Sequence, residues 1–165
     1  MKKFLSVILV LILILGLTAC TEKTPEEKPS DKTPSEITVD INAVKNTIIE
    51  KAELTDPLEL GTEQLCELYD IDVNDVAEAV CVTTLDGTFP DEVIIIKAAN
   101  GEAKSRIIEK LSAHLDDVKV QSQNYDAENY ALAQECKIIE KGNFIALFIS
   151  AKHAQMEKIL EESVN

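Results

Sequence analysis

A chain of 165 residues with 30 acidic and 16 basic side chains, net charge −14, is poorly suited to nucleic acid or other polyanions, whose backbones need basic contacts. It has no tryptophan and only seven Phe and Tyr residues, too little aromatic surface for a platform that stacks bases or sugars. The length allows one domain with a real core.

The chain opens with Met1-Lys2-Lys3, a short positive segment, followed by the uncharged apolar run FLSVILVLILILGL from Phe4 to Leu17. That run is shorter than the roughly 20 residues needed to cross a hydrocarbon core, so a signal peptide over residues 1–19 is expected rather than a permanent span. Leu17-Thr18-Ala19-Cys20 resembles the bacterial lipobox. The resemblance implies lipid transfer to the Cys20 thiol, cleavage before it, and attachment to the outer face of the cell membrane. Cleavage would leave 14 basic against 30 acidic residues, with no polybasic patch to assist the lipid. Thr21 to Glu36 carries three prolines and no large apolar residue, so residues 20–36 are expected to form a lipidated, disordered tether. Residues 37–165 are expected to form a single domain.

Within that domain, Ile41, Val44, Ile48 and Ile49 recur at helical spacing behind a plausible cap, Asp40. Asp56-Pro57-Leu58-Glu59 reads as a helix start, and Gly61 breaks it before a further turn through Leu65, Leu68 and Tyr69. The β-branched content of Ala77–Leu85 predicts a strand, with Asp86-Gly87 as a turn. Val93-Ile94-Ile95-Ile96 is apolar at every position, which predicts a central strand ended by Asn100-Gly101. A long amphipathic helix is then expected over about 102–120, burying Ile107, Ile108, Leu111, Leu115 and Val118. A shorter helix should follow Asp126, using Tyr130 and Leu132 as contacts. Two strands, Cys136–Ile139 and Phe144–Ile149, should be joined by a turn at Lys141-Gly142. Ser150 is a plausible cap for a last helix burying Met156, Ile159 and Leu160. This order predicts an α+β fold: a roughly four-stranded, mostly antiparallel sheet with helices packed on one face.

The residues offer little catalytic chemistry. Asp70, Asp72 and Asn74 have the alternate spacing of a calcium loop, but Asp75 stands where such a loop turns on glycine and Cys81 where it needs a bidentate glutamate. A turn is the preferred reading. Cys66, Cys81 and Cys136, 15 and 55 residues apart, match no zinc or redox motif. Buried free thiols are preferred, and whether any two pair is left open. His114 and His153 lack metal-ligand spacing, and Ser112 and His114 do not share a helix face. No GxSxG, HExxH, P-loop or GxGxxG stretch occurs. Glu92, at a strand entrance, and Tyr125, near a helix boundary, are retained as binding candidates. No catalytic residue, metal site or cofactor is predicted.

Asp91 to Ala98, the long helix behind it, Tyr125-Asp126-Ala127-Glu128 and Lys141-Gly142-Asn143-Phe144 together resemble a family of small Gram-positive lipoproteins known as a domain of unknown function. The similarity spans most of residues 58–150. Two positions depart from the family pattern: glycine is usual where Asp70 stands, and proline where Ala127 stands. The resemblance implies fold and location but no mechanism. The sequence therefore predicts an extracytoplasmic, membrane-anchored binding or interaction module of the cell envelope, non-enzymatic, with an envelope protein as a possible partner. Its alternative is a small envelope enzyme or small-ligand receptor whose site is built from dispersed carboxylates. Oligomeric state is left open.

Overall fold

Asp40 caps the first helix as its position before a helical apolar period predicts. Its carboxylate accepts a hydrogen bond from Ala43 N (3.0 Å), and α1 runs Ile41–Lys51. The computed structural model describes residues 37–85, 89 and 91–164. The expected signal peptide, Cys20, the tether and the Asp86-Gly87 turn lie outside the described residues.

The predicted helix start at Asp56-Pro57-Leu58-Glu59 is replaced by a short strand, β1, Leu58–Leu60. Asp56 takes a left-handed φ of 46°, and the segment pairs antiparallel with the second strand through Leu58–Thr83 and Leu60–Cys81. Gly61 then caps α2, Thr62–Leu68, where Gln64 Oε1 accepts from Gly61 N (2.9 Å). A 3-10 turn, Val73–Asp75, leads into β2, Val76–Thr83. Next come β3, Glu92–Ala98, and the 25-residue α3, Gly101–Tyr125, capped by Asn100. Asp126 starts α4, Ala127–Glu135, accepting from Glu128 N and Asn129 N. Strands β4, Ile138–Lys141, and β5, Phe144–Ile149, form a hairpin, and α5, His153–Ser163, ends the domain.

The hairpin turn is Gly142-Asn143, one residue beyond the expected Lys141-Gly142, because Lys141 still pairs with Phe144. Gly142 has φ 55°, a region glycine enters without steric cost, and a Cβ there would meet Ile37 at 3.3 Å. Both departures from the family pattern also fit their places. Asp70 has a left-handed φ of 53°, the conformation glycine would otherwise supply. Ala127 is the first residue of α4, where proline is favoured.

All five strands are antiparallel, in the order β1-β2-β3-β5-β4, so the fold is α+β with one more strand than the sequence predicts. The extra strand is the short edge β1. Helices cover both faces, not one. Under α1 and α5, Val82, Val93, Ile95, Ala146 and Phe148 pack against Ile48 and Met156. On the other face Cys81, Ile94, Ile96, Ile145 and Leu147 pack against Leu65 of α2 and Ile107, Leu111 and Leu115 of α3. Strands β3 and β5 sit centrally and are buried on both sides, which explains their unbroken apolar runs.

Candidate functional site

Side-chain alternation along β3 decides which face Glu92 reaches. Val93 and Ile95 point to the α1/α5 face, so Ile94, Ile96 and Glu92 point to the α3 face. Helix α3 starts just beyond β3 and runs back over it. The thirteen steps from Gly101 to His114 rise about 20 Å, the span of seven strand residues, so His114 returns level with Glu92.

There His114 Nε2 lies 2.7 Å from Glu92 Oε2, and the Tyr69 hydroxyl donates to the same oxygen at 3.3 Å. A carboxylate oxygen accepts, so this contact suits the tautomer with its proton on Nε2. The Tyr69 and His114 rings also meet edge to face, with centroids 4.8 Å apart and planes at 77°. Three elements, α2, β3 and α3, thus hold one carboxylate from two sides. Burial pushes the Tyr69 hydroxyl far above its usual range, with Glu92 and Cys81 adding to the rise. Burial likewise pushes the Cys81 thiol up to about 12, a hydrogen bond to Tyr69 partly opposing it. Both groups stay protonated at neutral pH. Tyr69 is a fixed donor, and Cys81 is no nucleophile.

Glu92 and His114 border a pocket of about 510 Å³, within the size range of small-molecule sites. Ile149, paired with Glu92 across the β3–β5 ladder, adds an apolar wall together with Phe89. Asp117, Val118, Gln121 and Ser122 come from α3, and Asp126 and Asn129 from the start of α4. The Ser122 hydroxyl donates to Val118 O (2.8 Å), inside its own helix. Asp126 is engaged as the α4 cap.

Of the two binding candidates, Glu92 belongs to this site. Tyr125 closes α3, and its side chain lies outside the described residues. His114, which the sequence leaves as a surface or boundary histidine, is the site residue that sequence reasoning misses. No local signal marks it, because its partners Glu92 and Tyr69 are distant in sequence and meet it only through the fold.

The calcium-like residues separate into other tasks. Asp70 forms an ion pair with Lys110, and Asp72 accepts from Asn74 N (2.9 Å) and Asn74 Nδ2 (2.8 Å), closing the turn. Asp75 is gripped by Arg106 through Nε (2.8 Å) and a terminal nitrogen (2.6 Å). These hydrogen bonds hold its carboxyl below the ordinary value against the desolvation that opposes them. Among the described residues, no group of three or more His, Cys, Asp or Glu side chains is placed to hold a metal. Cys66, Cys81 and Cys136 are buried and unpaired. His153, at the first position of α5, stands between Glu157 (3.3 Å) and Glu135 (3.5 Å). Burial raises the Glu157 carboxyl, but hydrogen bonds from Lys137 and His153 outweigh it and leave the group below its ordinary value.

An open antiparallel sheet with helices on both faces defines a small α+β domain. The chain belongs to the family defined by the domain of unknown function DUF4358, which matches residues 50–150. No curated protein and no solved structure matches it.

Proposed function

We propose that the protein is an extracytoplasmic lipoprotein of the Gram-positive type, anchored through lipid on Cys20, whose domain is a binding module with the α3 pocket as its ligand site. The anchor rests on Lys2-Lys3, the short apolar run and Leu17-Thr18-Ala19-Cys20. The ligand site rests on one observation: a pocket of about 510 Å³ in which Glu92 and His114 converge beside the apolar side chains of Phe89, Val118 and Ile149. Apolar walls with a few fixed polar groups are the usual composition of a small-ligand site. This moves the expected partner from an envelope protein toward a small molecule. Among the described residues, no helix is long and apolar enough to cross a membrane.

An envelope enzyme is the second reading, favoured by the Glu92–His114 pair, which can hold and pass a proton within the pocket. Binding comes first because it needs no nucleophile beside that pair.

Two measurements test the proposal. Cys20→Ala should abolish labelling with radioactive palmitate and leave the precursor uncleaved; an Ala variant that still takes up label overturns the anchor. Native mass spectrometry of the full chain, extracted from membranes in mild detergent, should show a small-molecule adduct. A pocket-filling Gln121→Trp change should remove it. An adduct unchanged by that substitution overturns the assignment of the site.

A further inference from the structure

The chemistry of the pocket narrows what it can hold, an inference that rests on the binding reading above. Oε2 of Glu92 is occupied twice, by Tyr69 and His114, whereas Oε1 takes no hydrogen bond among the described residues. The Glu92 side chain is only 15 % exposed. Yet no buried side-chain nitrogen or oxygen among the described residues lacks a partner. Oε1 is therefore not sealed off from solvent, and the Glu92 side chain borders the pocket. A charged oxygen held rigidly by its twin, in surroundings drier than bulk water, attracts a cation more strongly than a mobile surface carboxylate does.

The rest of the lining agrees in sign. Asp117 makes no ion pair among the described residues. Among the described residues no lysine or arginine lines the pocket, and the one cationisable side chain there, His114, is already engaged by Glu92, so an anionic ligand would meet Asp117 and Asp126 with no uncommitted counter-charge. Phe89, Val118 and Ile149 supply apolar surface that a bare metal ion could not use. We infer that the pocket takes an organic cation: a protonated amine on a compact apolar body, with Glu92 Oε1 as its counter-ion and Asp117 as a weaker second. Tyr69 and His114 are positioning residues, holding the carboxylate in place rather than touching the ligand's charge.

The test is a charge series on one body: phenethylamine, 2-phenylethanol and 3-phenylpropionate, titrated at neutral pH into the detergent-solubilised full chain. Amide chemical shifts locate each probe and calorimetry measures its affinity. The amine should bind with shifts centred on Glu92, His114 and Val118, and the acid should be weakest. Glu92→Gln keeps the size and hydrogen-bonding capacity of the side chain and should weaken the amine about tenfold while leaving the alcohol within about twofold. Asp117→Asn, at an exposed position, should cost about threefold and serves if the Glu92 variant folds poorly. If the alcohol or the acid binds at these residues as tightly as the amine, the cationic class is wrong and the pocket reading survives. Shifts confined to other surfaces, or none, for all three probes overturn both.

Discussion

The two faces of the sheet are built from alternate residues of the same strands, yet they bury different things. Under α1 and α5 the strands present Val82, Val93, Ile95, Ala146 and Phe148, with the Glu78–Lys97 ion pair at one end. Under α2 and α3 they present Ile94, Ile96, Ile145 and Leu147, but this side also holds three thiols and ends in the Tyr69–Glu92–His114 group. A face whose polar end is a surface ion pair contributes stability. A face whose polar end is a largely buried carboxylate beside a pocket contributes stability and a fixed polar group together. The difference arises at the strand ends: Glu92 opens β3, Ile149 closes β5 beside it, and both border the pocket.

Truncation measures the part the faces share. Phe148→Ala on the first face should cost about 3–5 kcal/mol and Leu147→Ala on the other about 2–5 kcal/mol, read from urea midpoints. A Leu147→Ala protein as stable as wild type would break the comparison, showing that the second face is loosely packed. The thiols probe dryness on the second face. With Cys81 pushed up to about 12, its thiolate fraction at pH 8 falls roughly a thousandfold below that of an ordinary cysteine. Native-state alkylation should therefore be slow at Cys81 and limited by burial at Cys66 and Cys136; fast labelling would mean that this face opens readily. Tyr69→Phe should sharpen the contrast at the polar end, costing about 1 kcal/mol because one hydrogen bond to Glu92 is lost while that of His114 remains.

Acid should affect both sides most gently. Asp75, gripped by Arg106 of α3, and Glu157, held by Lys137 and His153 on α5, both have carboxyls below their ordinary values. Depressed values mean that the folded state binds fewer protons than the unfolded chain. Their stabilisation is thus present above the ordinary carboxylate range and is lost as pH falls through the folded values. Urea midpoints should drop between about pH 5 and pH 3, and Asp75→Asn and Glu157→Gln should each flatten that drop. A profile unchanged in both variants would detach these pairs from acid stability.

Much of the fold was legible because its signals are local. Asp40 precedes an apolar period of 3.6, Asp126 precedes α4, and β5 begins and ends where its apolar run does. Strand β1 was not legible, because Asp56-Pro57-Leu58-Glu59 carries the composition of a helix start. Its extended state comes from pairing with Cys81–Thr83 and from the left-handed turn at Asp56, neither visible in a local window. The second helical layer was not legible either: the apolar run Val93–Ile96 signals a covered central strand, but a local window does not say that helices lie on both faces or which ones they are. At the site, Glu92 stood out as a charge at a strand entrance. Tyr69 and His114 did not, since a tyrosine just past the end of α2 and an imidazole within α3 have ordinary local readings until the fold brings them to one carboxylate.

The length of α3 has a consequence for how a ligand would get in. Up to His114 the helix lies on the sheet through Ala103, Ile107 and Leu111, all fully buried. Beyond Leu115, the last buried apolar residue of α3 in the core cluster, α4 folds back at Asp126 against the helix; Val120 is 59 % exposed on the outer side while Ser122 is buried. One helix therefore rests on two foundations. The first half is fixed by the sheet, and the second by its packing along α4, where Val118 and Leu132 join the same apolar cluster. The pocket lies where the helix passes from one support to the other, so a ligand would reach Glu92 at the corner of strand ends, α3 and α4, with both sides of the sheet shut.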